Sequence, residues 1–245
     1  MIGLSSGERD NSVRFTDPVL FACRQCGACC REVRLLLTPY DVWNLARALG
    51  ISTGAFLAEY TGLALIARYG KRIRVCLAEL LTGPCPFLQG NLCGVYNARP
   101  VSCRLYPLSL YVGLWDDGAD YFTSWGLVRR LIRKCPGADE RARTTVRDYL
   151  ETQAARAGLT AAVDYGDYLN NLYLHYAIPE DDSESVELAR SLFDLDCYAA
   201  DGAPCGRRDS PADLLLPEAP EFSARYAAAK SVVRGRFRKR PVLKG

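Results

Sequence analysis

The chain has 245 residues, 49% hydrophobic and 24% charged, which is enough apolar content for a real core and excludes a wholly disordered chain or a fibre. Eleven cysteines are too few for a disulfide miniprotein and too many for an ordinary cytosolic enzyme, and a single histidine, His175, excludes histidine-rich metal sites. The net charge of +3 resides in the tail: from Phe222 onward there are eight basic residues and no acidic one, against 23 basic and 28 acidic residues before it.

The N-terminal stretch from Met1 to Asp17 is polar and broken by charge, without the basic start, apolar stretch and small-residue cleavage site of a secretory signal. A cytoplasmic location is therefore expected, where clustered thiols bind metal or do redox chemistry more often than they form structural disulfides. The longest apolar runs, Leu35 to Leu37, Leu63 to Ala67 and Leu214 to Leu216, fall far short of the ~18–20 residues of a bilayer span, so no membrane span is expected.

Thr38-Pro39-Tyr40-Asp41 is a helix start: Thr38 caps, Pro39 suits the first turn, and Asp41 suits the positive end of the helix. Val42, Leu45, Ala46 and Leu49 form its apolar face and Gly50 stops it. A second short helix is predicted from Ser52 or Thr53 to about Tyr60. Arg72 to Leu80 alternates and reads as a strand carrying Cys76, and Gln89-Gly90-Asn91 reads as a turn between two short apolar pieces. Leu108 to Trp125 reads as a hairpin around Asp116-Asp117-Gly118, with Tyr111, Trp115, Tyr121 and Trp125 as strand-favouring residues.

Nine of the eleven cysteines lie between Cys23 and Cys135, so the composition shifts near residue 138. Four units are expected: an N-terminal segment (1–20), a cysteine-cluster metal-binding domain (21–138), a helical region (139–215), and a helix with a basic tail (216–245). In the helical region, Thr144 to Ala157 carries Val146, Tyr149 and Leu150 at helical spacing, Tyr165 to Tyr176 repeats Tyr and Leu, and Ser183 to Phe193 follows Asp181-Asp182. Prolines 204, 211, 217 and 220 interrupt the next stretch, and Phe222 to Val233 is predicted as the last helix. The expected fold class is α+β: a cysteine-rich domain of loops and short strands with helices packed beside it, and a mostly helical C-terminal part.

The strongest signal is Cys23-Arg-Gln-Cys26-Gly27-Ala-Cys29-Cys30-Arg31. A C-x-x-C step lets a tight loop wrap one metal with backbone N–H groups free to bond the sulfurs, and Gly27 supplies the positive φ such a loop needs. Neighbouring side chains in an extended segment point to opposite sides, so Cys29 and Cys30 are expected to serve two sites, or one site plus a spare thiol. The other candidate ligands arrive singly: Cys76, Cys85, Cys93, Cys103 and Cys135. Cys85 and Cys135 are each followed by Pro, as is the last cysteine of bacterial ferredoxin runs. A thiolate centre is anionic, so Arg31, Arg99 and Arg104 are the candidate compensating charges.

The ordered set of motifs resembles the CxxCxxCC, or YkgJ-like, cysteine-cluster family. It comprises Cys23-x2-Cys26-Gly-x-Cys29-Cys30-Arg31, Gly83-Pro84-Cys85-Pro86-Phe87-Leu88, Cys93-Gly-Val-Tyr96-Asn-Ala-Arg99-Pro100 and Cys103-Arg104-Leu-Tyr106-Pro107. That family is described as zinc- or iron-chelating and is similar to the cysteine region of flagellin lysine methylases, which are associated with an iron–sulfur cluster. The resemblance covers about Cys23 to Cys135 and implies that the matching cysteines are ligands; it gives no reaction, and the helical part lies outside it.

Thiolates serve both iron–sulfur clusters and zinc. The C-x2-C-x2-C run followed by a remote Cys-Pro is closer to a [4Fe-4S] cluster, possibly in two sites, than to the paired knuckles of zinc fingers; zinc is the alternative. The radical S-adenosylmethionine triad is absent, because Cys26-x3-Cys30 is followed by Val33 where the third cysteine belongs. A thioredoxin-like pair at Cys26 and Cys29 ranks low because it ignores seven neighbouring cysteines.

Cys197 and Cys205 read as incidental thiols, His175 as a packed helix residue, Asp181-Asp182 with Glu184 and Glu187 as a solvated helix start, and the basic tail as a solvated terminus, so no nucleic-acid partner is expected. Two function classes stay open: a metal- or cluster-binding protein with an electron-transfer, storage or structural role, and a cluster-dependent enzyme acting on a protein or other substrate, with lysine methylation or an oxidoreductase reaction as the analogy.

Overall fold

The computed structural model describes residues 12–31, 35–68, 73–81, 83–116, 121–129, 135–138, 144–176, 182–198 and 220–238. Two short strands, β1 (Ser12–Val13) and β2 (Pro18–Val19), precede the cysteine loop. The pair Cys29-Cys30 then lies in a single helical turn, α1 (Ala28–Arg31), and not in the extended segment expected from the sequence.

Helix α2 (Pro39–Leu49) forms as predicted. Thr38 and Asp41 make a reciprocal capping box, and Gly50 ends the helix at φ +68°. Helix α3 (Thr53–Tyr60) follows, capped by Ser52, whose hydroxyl accepts from the Ala55 N–H at 3.1 Å. Strand β3 (Thr61–Arg68), which the sequence reading did not separate from its surroundings, pairs antiparallel with the predicted strand β4 (Ile73–Leu80). Next come the miniature strands β5 (Leu88–Gln89) and β6 (Leu92–Cys93), joined through Gly90 at φ +63°, and the five-residue helix α4 (Val101–Leu105) inside the Cys103 motif. The predicted hairpin is β7 (Leu108–Asp116) with β8 (Tyr121–Arg129); it runs four residues beyond Trp125, β1 adds to its edge, and Asp117-Gly118 of its turn lies outside the described residues.

Strand β9 (Thr144–Thr145) pairs with β2 and leads into helix α5 (Val146–Thr152). The sequence predicts one helix from 144 to 157; instead the chain breaks at Gln153 to Ala155, where Ala154 takes φ +48° and Ala155 becomes fully buried. Helix α6 (Arg156–His175) starts there, nine residues earlier than the Tyr and Leu repeat suggested. Helices α7 (Asp182–Phe193) and α8 (Pro220–Arg236) match the last two predicted helices with slightly wider bounds. The fold is thus mixed α+β with a helical C-terminal part.

Two apolar clusters organise these elements. The larger joins Leu37, Trp43, Leu45 and Phe56 from α2, α3 and the preceding loop to Leu169, Leu172, Leu188, Leu192, Phe193, Phe222 and Val233 of the helical part. Leu169 with Leu172, and Leu188 with Leu192, recur at helical spacing on one face of their helices, whereas α2 is buried on most of its circumference. The smaller holds Val19, Phe21, Val101, Leu105, Leu108, Leu127, Val146, Tyr149, Leu150, Ala155 and Leu159. Phe87 and Val95 belong to the larger cluster, whereas Val101 and Leu105 belong to the smaller one, so the cysteine segment between Cys85 and Cys103 runs along the seam between the two cores. Among the described residues no helix is long and apolar enough to cross a membrane.

Candidate metal centre

The seam is built from backbone contacts that draw separate cysteine segments together. The N–H of Cys30 donates to Gly27 O at 3.0 Å, and the N–H of Cys85 donates to Cys30 O at 2.7 Å, which ties the Pro84–Pro86 segment to α1. The N–H of Leu88 donates to Cys85 O at 3.0 Å, and that of Gly94 donates to Phe87 O at 2.8 Å. Because Leu88 pairs with Cys93, these bonds bring Cys93 back beside Cys85. Gly27, at φ +69°, packs on the same hairpin: a Cβ there would lie 3.2 Å from Leu88 Cδ1 and 3.3 Å from Asn91 Cα. Across this contact the Arg31 guanidinium donates to Asn91 Oδ1 at 2.6 Å.

The sulfurs of Cys29 and Cys30 are 3.9 Å apart. In a helical turn adjacent side chains diverge by about 100° instead of the 180° of a strand, so the expectation that the two serve opposite sides gives way to a shared side. The hydrogen-bonded contact with Cys30 holds the Cys29 thiol down at about 6; the positive charge of Arg99 adds to this. The same bond, with burial and the charges of Cys29, Cys103 and Cys85, pushes Cys30 up. Burial raises Cys85, with Cys93 and Cys29 adding to the effect. Burial also pushes Cys103 up to about 12, with further contributions from Asp41, Cys85, Cys29 and Cys93. The charges of Cys29, Cys85, Cys93 and Cys103 thus each bear on one or more of Cys30, Cys85 and Cys103.

The other four predicted ligands stand differently. Cys23 and Cys135 lie where the chain pairs as strands, through the Phe21–Ala138 bridge and the Ala22 N–H to Gly137 O bond of 2.8 Å. The Cys23 charge reaches Tyr149, whose hydroxyl donates to Tyr106 O. Cys135 packs against the smaller core, and Cys26 is partly buried on the loop between Cys23 and α1. Cys76 sits on β4 opposite Leu65. Cysteines 23, 26, 29, 30, 85, 93, 103, 135 and 197 are free thiols. Among the described residues no group of three or more Cys, His, Asp or Glu side chains is placed to hold a metal ion.

The three arginines differ in role. Arg99 stacks on Tyr96, 3.7 Å from its ring centre, donates to Tyr96 O at 3.0 Å, and is the guanidinium whose charge acts on Cys29. Arg104 donates to the carbonyls of Arg99 at 2.9 Å, Gln153 at 2.8 Å and Asn97, so its fork organises the loop between Cys93 and Cys103. Arg31 is exposed and bonds the hairpin through Asn91. Sequence reading did not pick out Gln153, which also accepts from Arg99 at 3.4 Å, because it lies in the helical part, about fifty residues from the motif.

The chemistry of this donor set fits a thiophilic cation. Thiols such as Cys85 and Cys103, raised by burial and by neighbouring thiolate charge, keep their protons until a cation offsets both penalties. Residues 22–127 match the CxxCxxCC family, described as "Putative zinc- or iron-chelating domain". The match spans 106 of the chain's 245 residues. All the cysteines of the seam lie inside it, whereas Cys135 and the helices that pack against it lie outside. Comparisons with curated proteins and with solved structures found no match.

The remaining candidates lie away from the CxxCxxCC seam. Cys197 donates to Asp194 Oδ2 at 3.2 Å, and burial together with that carboxylate pushes it up to about 11. His175 is exposed at the end of α6, Glu187 pairs with Arg236 at 3.3 Å, and Cys205 and Asp181 lie outside the described residues. A groove of about 590 Å³, lined by residues that include Phe15, Arg147, Leu150, Arg156 and Asp167, has no cysteine in its wall.

Proposed function

We propose that this chain is a metal-binding protein whose CxxCxxCC domain holds a [4Fe-4S] cluster, with four of Cys29, Cys30, Cys85, Cys93 and Cys103 as ligands. What supports the reading is the match of residues 22–127 to a zinc- or iron-chelating domain, together with the backbone bonds that tie the Cys30, Cys85 and Cys93 segments along the seam and the 3.9 Å approach of the Cys29 and Cys30 sulfurs. When bound, such a cluster supplies one-electron chemistry. The protein's part is to present the sulfurs, exclude water on the side of the larger core, and balance the anionic centre with Arg99 and Arg104. Cys23, Cys26, Cys76 and Cys135 are then available for a second site. A cluster-dependent enzyme, of the protein lysine methyltransferase or oxidoreductase kind, is the alternative. This thiol chemistry suits the reducing cytoplasm.

Anaerobic purification with iron, acid-labile sulfide and zinc analysis, together with a visible spectrum, tests the reading. Iron and sulfide in equal amounts with broad visible absorption are expected. Stoichiometric zinc without sulfide would replace the cluster by a zinc site, and absence of any bound metal after reconstitution would end the metal reading.

A further inference from the structure

Asp41 is only 2% exposed, yet it carries a carboxylate in the larger core's leading helix. One oxygen, Oδ2, accepts from the Thr38 N–H at 2.9 Å and from the Thr38 hydroxyl at 2.8 Å, which is the local half of the capping box. The other oxygen, Oδ1, leaves its own helix and accepts from the N–H of Val101, sixty residues away, at 2.8 Å. Val101 is the first residue of α4, and that N–H has no partner within its own helix. Two residues further along α4 is Cys103.

The same short helix is held on two other sides. Val101 packs against α6 at Gly158, where an added Cβ would come within 3.0 Å of Val101 Cβ. Arg104 anchors its far end on the carbonyls of Arg99, Gln153 and Asn97. A five-residue helix has almost no stability of its own, so its position is set by these external contacts. A buried carboxylate is costly unless its lone pairs are filled, and here one lone pair is filled across the two cores.

We propose that Asp41 is a positioning residue of the metal centre: its buried carboxylate latches the helix that carries Cys103 and sets that thiol at the seam. This inference rests on the metal-binding reading above. Outer partners of metal ligands are worth ~10–100-fold in metal affinity, and the latch is expected to act in that range.

The test uses the full chain, metal-free, with cobalt(II) and zinc(II) as probes and affinity read by chelator competition. Three variants separate the two halves of Asp41. Asp41→Ala removes both. Thr38→Ala removes only the cap. Val101→Pro removes the donated N–H, with some loss of Val101 packing that leaves Asp41 and its cap intact, at a helix position and after a Pro100 conformation (ψ 153°) that both tolerate proline. Asp41→Ala and Val101→Pro are expected to weaken cobalt binding by ~10–100-fold and to lower the thiolate-to-cobalt absorption per bound metal, since one thiolate is lost. Thr38→Ala is expected to lose stability but keep the parent affinity and spectrum. Equal weakening by Thr38→Ala, or parent-like spectra in both latch variants, would overturn the proposal.

A second readout does not need metal. In the metal-free chain, alkylation of Cys103, followed by mass spectrometry against Cys197 as internal reference, is expected to speed up in Asp41→Ala and Val101→Pro and not in Thr38→Ala. If the parent chain binds no probe metal, the metal reading fails while this comparison still decides whether Asp41 sets Cys103. Unchanged alkylation in both latch variants would show that it does not.

Discussion

Replacing Gly27 by alanine separates backbone strain from damage to the metal centre. Gly27 holds φ +69° in the Cys26–Cys29 loop, and an alanine there takes a left-handed conformation at a cost of about 1–2 kcal/mol. Its Cβ also meets Leu88 Cδ1 at 3.2 Å and Asn91 Cα at 3.3 Å. The leucine tip can move; the Asn91 backbone can move only with the hairpin that carries Cys93. Gly50 is the control, with φ +68° and nothing within 4 Å of an added Cβ. Both variants are expected to lose about 1–2 kcal/mol in urea unfolding of the metal-free chain, a fall in Tm of about 2–4 °C per kcal/mol at this chain length. Only Gly27→Ala is expected to weaken cobalt binding as well. If Gly27→Ala were as stable as the parent, or if Gly50→Ala weakened metal binding equally, the account of the loop resting on the hairpin would be wrong.

Four other outcomes follow from the same structure. In the metal-free chain, iodoacetamide should label Cys29 with a midpoint near pH 6: a lowered pKa leaves the thiolate present above that pH and lost below it, whereas Cys103, at about 12, should stay slow through neutrality. A Cys29 midpoint in the ordinary thiol range near ~8.5 would contradict the Cys30 hydrogen bond. Metal binding near pH 7 should release protons from Cys85 and Cys103 and therefore tighten as pH rises, which calorimetry in buffers of different ionisation enthalpy measures. Phe56 is fully buried and stacks on Tyr60 at 5.3 Å and Phe87 at 6.3 Å, so Phe56→Ala should cost about 3–5 kcal/mol in denaturant unfolding; a loss under ~1 kcal/mol would remove it from the core. Deleting residues 237–245 removes Phe237 from the rim of the larger core and should lower stability while leaving metal content per chain unchanged; loss of metal would tie the tail to the centre.

Local chemistry was readable from the residues alone. Helix α2 is spelled out by Thr38, Pro39, Asp41 and Gly50, because caps, a fixed proline φ and a left-handed glycine act within a few residues. The Gly90 turn and the strand of Cys76 follow from equally local signals. Spacing and neighbours also marked the cysteines as a ligand set and placed them in the CxxCxxCC family. Short-range signals failed where a second segment decides the conformation. Strand β3 exists because β4 pairs with it, and α4 exists because Asp41, Gly158 and the carbonyls that accept from Arg104 hold it.

Which thiols meet is likewise a tertiary result. Cys29 and Cys30 share a side because α1 is helical, and the segments that carry Cys85, Cys93 and Cys103 run along one seam because Phe87 and Val95 are buried in one core while Val101 and Leu105 are buried in the other. The amino-acid order by itself determined the kind of chemistry, since only the side chains' donor atoms enter it. The course of the cysteine segments along the seam, and the bond from a buried carboxylate to a helix sixty residues away, were decided by the packing of two cores, because burial and hydrogen bonding across a seam depend on distance in space and leave no periodic trace along the chain.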